Sequence, residues 1–239
     1  FGNMGITWKL NTWLSLTGRV LKDFYSEQRE ERIAVGSIGT SSYSEDVYRL
    51  DETNVDAILR ADKYLLNDKL NVSAFVGGNK RWNSLDRSYG ATRGGLNVPG
   101  LYRVQNSLER PDVQNQLTKR EVESLFGGVT LGWKSWLYLD LTGRNDWSST
   151  LPEVNNSYFY PSASVSFVFS ELIKSSVLSY GKLRFGWAKV GGDANPYSIG
   201  TVYSANDNFG SNPSFTVPGT LNNLNLKPEE TRSQEVGVD

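Results

Sequence analysis

The chain has 239 residues, 25 Lys and Arg against 26 Asp and Glu for a net charge of −1, and neither Cys nor His. So balanced a charge supplies no field for nucleic acid, and the missing thiols and imidazoles exclude disulfides, zinc fingers, Cys nucleophiles and any Ser-His-Asp arrangement. Hydrophobic residues reach only 38% while aromatics make up 12%, beside 23 Gly, so the apolar material is ring-rich and scattered, not the aliphatic core usual in a soluble enzyme.

The length allows one large domain or two small ones, and all-β barrels often run this long undivided. No run of about 18 apolar residues exists, which excludes a transmembrane helix. A spanning β-strand alternates apolar and polar residues and escapes that test.

In chain order, residues 5–10 put Ile6, Trp8 and Leu10 on one face. Residues 13–20 set Leu14, Leu16, Gly18 and Val20 against Ser15, Thr17 and Arg19. Weaker alternation follows at 55–62 (Val55, Ala57, Leu59, Ala61), 70–79 (Leu70, Val72, Ala74, Val76) and 121–133 (Leu125, Val129, Leu131, Trp133). Residues 136–146 are strict, with Leu137, Leu139, Leu141 and Gly143 opposing Tyr138, Asp140, Thr142 and Arg144. Residues 159–170 oppose Phe159, Ala163, Val165, Phe167 and Phe169 to Tyr160, Ser162, Ser164, Ser166 and Ser170, and 182–190 carries Leu183, Phe185 and Trp187. Period two over such lengths predicts strands with one apolar and one wet face. Eight are expected, with a ninth beginning near Ser233.

Tight turns at Asn11-Thr12, Asn67-Asp68-Lys69 and Lys134-Ser135 alternate with long polar links at Gly36–Ser44, Arg81–Arg120, Ser148–Ser157 and Gly191–Arg232; the medium link Glu171–Gly181 occupies a short-turn position. This rhythm is the plan of an antiparallel up-and-down transmembrane β-barrel with long extracellular loops. A soluble β-sandwich would turn the same apolar faces inward. The barrel turns them to lipid and places Arg19, Arg60, Arg144 and Arg184 in a watery lumen, so Leu139, Phe167 and Phe185 are expected on a face that no second protein layer covers. Trp13, Trp133 and Trp136 beside short turns, and Trp147, Tyr158 and Phe159 beside a long link, suit interfacial girdles or a sandwich rim.

Several segments, taken together, resemble the barrel of SusC/RagA-type TonB-linked outer-membrane transporters of Bacteroidetes: Leu141-Thr-Gly-Arg-Asn-Asp-Trp-Ser-Ser-Thr-Leu-Pro152, Tyr158-Phe-Tyr-Pro-Ser-Ala-Ser-Val-Ser-Phe-Val-Phe-Ser-Glu171, Lys182-Leu-Arg-Phe-Gly-Trp-Ala-Lys-Val-Gly191 and Leu226-Lys-Pro-Glu-Glu-Thr-Arg-Ser-Gln-Glu-Val-Gly-Val-Asp239. Glu30-Glu-Arg-Ile-Ala34 and Gly94-Gly-Leu-Asn-Val-Pro-Gly100 fit the same family. The resemblance implies a parent with a plug, a TonB box and about 22 strands, of which residues 1–239 are an internal, incomplete arc of about nine strands lacking plug and TonB box. It further implies TonB-dependent import of oligosaccharides or peptides through the outer membrane, under a SusD-like lipoprotein, with no cofactor and no enzymatic step. A soluble or surface glycan-binding β-sandwich and a passive porin are the alternatives.

Glu30-Glu31, Glu45-Asp46 and Glu229-Glu230 have the residue types for acid–base hydrolysis, but adjacent residues on a strand point to opposite faces. Asp193-Ala-Asn195 and Asn206-Asp-Asn208 offer oxygen ligands without calcium-loop spacing, so neither a catalytic residue nor a metal site is expected. Arg144 and Asp146 share the wet face near a long link, where their charge pair is expected to brace a loop or the absent plug. In the 81–120 link, Trp82, Tyr89, Tyr102 and Arg103 could stack on sugars or bond peptide carbonyls, or pack the loop onto its neighbours.

Overall fold

The computed structural model describes residues 1–173 and 178–239, and at Asp207 the backbone alone. Nine strands form one open sheet in the order β1 (Gly2–Lys9), β2 (Leu14–Ile33), β3 (Ser42–Leu65), β4 (Leu70–Ala91), β5 (Asp112–Trp133), β6 (Leu137–Ser148), β7 (Ser157–Phe167), β8 (Leu183–Gly192) and β11 (Glu229–Val238). Between β8 and β11 the chain makes a separate hairpin, β9 (Ser204–Phe209) with β10 (Asn212–Thr216). The expected up-and-down order is present, since each strand of the large sheet pairs with its neighbour in sequence, apart from that hairpin. The medium link at 171–181 opens on a short 3-10 turn, Phe169–Glu171, and crosses residues 174–177, which lie outside the described residues.

The strand lengths correct the sequence reading. β2, β3, β4 and β5 run 20, 24, 22 and 22 residues, well past their apolar stretches. The expected link at 81–120 is strand as far as Ala91 and again from Asp112, so Trp82 and Tyr89 are strand residues, not loop residues. Both faces of these extensions are polar, so hydrophobic alternation vanishes there although pairing continues. The tight turns form where expected. Lys134 and Ser135 take φ values of 47° and 62°, and Trp136 N–H donates to the Trp133 carbonyl at 3.1 Å, the two-residue geometry whose twist matches the flanking strands.

The chain divides into two units. One comprises residues 5–19, 55–80 and 121–239. Its register places Leu131, Leu139, Val165, Phe185 and Val236 in one cross-strand row, and Val129, Leu141, Ala163 and Trp187 in the next. The opposite face carries Thr130, Asp140, Ser164, Gly186 and Glu235. Among the described residues no second layer covers the apolar rows: Leu141 is 40% and Phe185 46% exposed, and Leu139 and Phe167 are only half-buried. A sandwich needs those faces buried against each other. From Leu125 to Trp133, β5 crosses the apolar band in nine residues, within the roughly 9–11 a tilted spanning strand requires. No described helix is long and apolar enough to cross a membrane.

The other unit comprises residues 1–4, 20–54 and 81–120. Its link 92–111 is ordered by Asn106, whose amide donates to the carbonyls of Val98 (2.8 Å) and Leu101 (2.7 Å) and accepts from Val98 N–H (2.9 Å). Gly94 and Gly95, at φ 72° and 117°, turn the chain so that Leu96 N–H meets Ser41 Oγ at 3.1 Å, a conformation that favours glycine.

Candidate functional site

On the wet face of the first unit, Arg144 stands at the centre of a network. Its Nε donates to Asp146 Oδ1 at 2.7 Å and its Nη2 to Ser124 Oγ at 2.8 Å, while the guanidinium lies 5.5 Å from the Phe126 ring. The Tyr160 hydroxyl donates to Asp146 Oδ2 at 2.6 Å, and Tyr160 stacks on Tyr158 with centroids 5.9 Å apart. Register explains the convergence: Ser124 faces Asp146 and Phe126 faces Arg144 across β5 and β6, and Arg144 faces Tyr160 across β6 and β7.

Among the other residues expected in a lumen, Arg184 lies on the same face of the sheet as Arg144, opposite Phe185. Arg19 Nε donates to Asp56 Oδ1 at 2.9 Å, Arg184 pairs with Glu235 at 3.5 Å, and Arg60 is exposed. Asp193, considered as an oxygen ligand, accepts from the hydroxyls of Ser148 and Thr150, the latter at 3.1 Å. This fastens the 149–156 link to the end of β8.

In the second unit the extensions of β3 and β4 carry a fork that the sequence reading passed over. Arg87 donates through Nε to Asp46 Oδ1 (2.9 Å) and through Nη2 to Oδ2 (2.6 Å), and the Tyr48 hydroxyl donates to Oδ2 at 2.9 Å. The Arg87 guanidinium lies 5.3 Å from the Tyr48 ring and 5.5 Å from that of Tyr89, and Arg29 lies 5.1 Å from Tyr48. This places the Tyr48 ring within cation–π reach of two guanidinium groups. The bidentate Arg87 holds the Asp46 carboxyl below its ordinary range, and Asp46 in turn raises Arg87. Asp46-x-Tyr48 and Arg87-x-Tyr89, charge and ring two apart on strands, were the signal available in the sequence.

The opposite face of β3 meets a different set. Tyr43 donates to Glu30 at 3.1 Å, and Arg32 forms an ion pair with Glu30 while lying 5.5 Å from the Tyr102 ring. Arg32 and then Tyr43 hold the Glu30 carboxyl low. An open cleft of about 390 Å3 is lined here by Tyr43, Glu45, Val47, Ser88, Gly90, Arg103, Val104, Val113 and Asn115, among others. Of the four candidate ligand contacts, Arg103 reaches this cleft, whereas Tyr89 borders it and turns its ring to Arg87 on the other face of the strand. Tyr102 rests near Arg32, and Trp82 stands apart, on the side of β4 opposite Asn83, which bonds Glu52. The paired carboxylates diverge as strand geometry requires, Glu45 accepting from Gln28 at 2.8 Å and Asp46 from Arg87.

The family described as TonB dependent receptor-like, beta-barrel matches residues 2–239. TonB-dependent receptor P26 of Formosa agariphila is 30% identical over 145 residues, which cover 56% of this chain and 15% of that protein. Among solved structures, the RagAB peptide transporter superposes with a TM-score of 0.85 at 17% identity, covering 99% of this chain and 27% of that one. The RagAB peptide importer in its closed-closed state gives 0.82 at 18% identity and in its open-open state 0.77 at 19%, with the same coverage. The chain thus spans about a quarter or less of the length of these relatives.

Proposed function

Because the chain belongs to the TonB-dependent receptor-like β-barrel family, we propose that it forms part of the wall and outer edge of an outer-membrane importer driven through TonB. The observation that carries this reading is the two-sidedness of one sheet. Leu139, Val165 and Phe185 line up on a face left uncovered, while Arg144, Asp146 and Arg184 line up with polar neighbours on the other. Hydrocarbon covers the first face and water wets the second.

In this reading Arg19, Arg60, Arg144, Asp146 and Arg184 face the lumen and the plug carried elsewhere in the parent. Arg103 at the cleft, with Tyr102, Tyr89 and Trp82 on other surfaces, supplies contacts for an oligosaccharide or peptide, and a SusD-like lipoprotein caps the entrance. The peptide-transporting RagAB neighbours support this, as do the planar and charged groups at the cleft. No bond is made or broken by the chain. Uptake of labelled oligosaccharides and peptides by cells producing the full-length protein is expected to stop when the TonB box is deleted. Uptake indifferent to that deletion would overturn the reading and favour a passive pore.

A further inference from the structure

The apolar face of the first unit changes character within one step along its strands. Leu125, Asn145 and Phe159 form one cross-strand row, and the next row on the same face is Glu123, Trp147 and Ser157. There Lys80 Nζ lies 2.6 Å from Glu123 and 2.5 Å from Glu121. Beside this ion triple is an open trough of about 400 Å3 whose lining includes Val55, Ala57, Gly78, Lys80, Glu123 and Trp147. Gly78 and Ala57 project little or nothing, so the floor is depressed and apolar, and Trp147, 39% exposed, presents an indole at its edge.

An apolar trough leading to a flat ring and a set of hydrogen-bonding charges matches an amphiphile more closely than a soluble solute. The trough suits an acyl chain. The indole suits the carbon-lined face of a sugar, and two carboxylates with one ammonium offer both acceptors and donors to its hydroxyls. One cation against two anions leaves the triple negative, which disfavours a lone anionic headgroup. We propose that this trough, at the long-link border of the apolar band, binds a glycolipid of the surrounding bilayer, with the sugar stacked on Trp147 and bonded by Lys80 and Glu123. The proposal rests on the lipid-facing reading of the wall, with which the site is continuous.

The test uses the full-length protein in nanodiscs of phosphatidylcholine containing a diacyl monoglucoside, with lipid retained after detergent washing measured by mass spectrometry. The glucoside is expected to be enriched over its bilayer proportion. Trp147→Ala is expected to lower its retention roughly two- to ten-fold, while Trp147→Phe keeps most of it. Val55→Trp fills the trough while leaving Lys80, Glu123 and Trp147 themselves unsubstituted and is expected to lower retention as well, and phosphatidylcholine retention stays unchanged throughout. Glucoside retained no better than phosphatidylcholine, or equally by the native protein and both depleting variants, overturns the proposal even if the protein inserts normally. Failure to insert into any bilayer overturns the wall reading, and the proposal with it.

Discussion

The hydroxyl of Tyr160 on β7 donates to Oδ2 of Asp146 on β6 at 2.6 Å, while Arg144 holds the other carboxylate oxygen. Asp146 is only 6% exposed, so each partner compensates for part of a desolvated charge. Arg144→Ala leaves that carboxylate with Tyr160 alone and is expected to destabilise the barrel by about 1–3 kcal/mol, toward the lower end because the arginine side chain is itself 36% exposed. Adding Asp146→Asn should recover part of the loss, since no buried charge is then orphaned. Urea unfolding of the full-length protein measures both. Substrate preference should stay as it is; a large change in preference with normal surface expression would make Arg144 a ligand contact.

Asp46 supplies the pH dependence, and it lies outside the apolar stretch of β3, which runs from Val55 to Ala61. Its carboxyl is held below the ordinary range by Arg87, so the folded chain keeps it ionised more readily than the unfolded chain does. The stability contributed by the fork is therefore fully present above the unfolded value of about 3.9 and is lost as pH falls through the lower folded value. Arg87→Gln should melt earlier than the native protein by a constant margin from about pH 5 upward, and the two curves should converge in stronger acid. A margin that widens on acidification would contradict the assignment.

The two faces of β6 should respond oppositely to charge. Leu141→Arg places a guanidinium near the middle of the apolar band and is expected to cost about 2–4 kcal/mol of folding free energy in a bilayer. Thr142→Arg, one residue on and beside Ser162, should cost within about 0.5 kcal/mol of nothing. Folding of the two full-length variants into lipid vesicles under urea titration compares them directly, and equal costs would remove the distinction between a lipid and a water face.

Asn106 should act locally. It is 7% exposed and holds one N–H and two carbonyls of the 97–106 segment. Asn106→Ala strands all three and is expected to weaken the segment by about 1–3 kcal/mol, seen as faster amide exchange and proteolysis within 97–106. Protection of β6 and β7 should not change. Asn106→Asp keeps the acceptor but turns a buried carboxylate oxygen toward the carbonyls of Val98 and Leu101, and should be at least as destabilising as the alanine at neutral pH.

Alternation along single strands is a local property, because successive side chains on a strand point to opposite faces whatever lies beside them. The strands of 136–146 and 182–190, that of 159–170 as far as Phe167, the turn at Lys134-Ser135 and the divergence of adjacent carboxylates could therefore be read from residue order alone, while Phe169 and Ser170 turn out to lie in a 3-10 turn. Register lies beyond that reach. Arg87 and Asp46 stand 41 residues apart, and Asp193 and Thr150 stand 43 apart; only the pairing of strands decides that they touch. The same cause hid the extensions of β2 to β5, where ion pairs between strands replace the hydrophobic pattern, and made strand residues of Trp82 and Tyr89. Whether protein covers the apolar face was likewise a tertiary matter: alternation is identical in a sandwich and a barrel, and exposure of Leu141 and Phe185 separates them because burial depends on what packs opposite, which no residue specifies by itself.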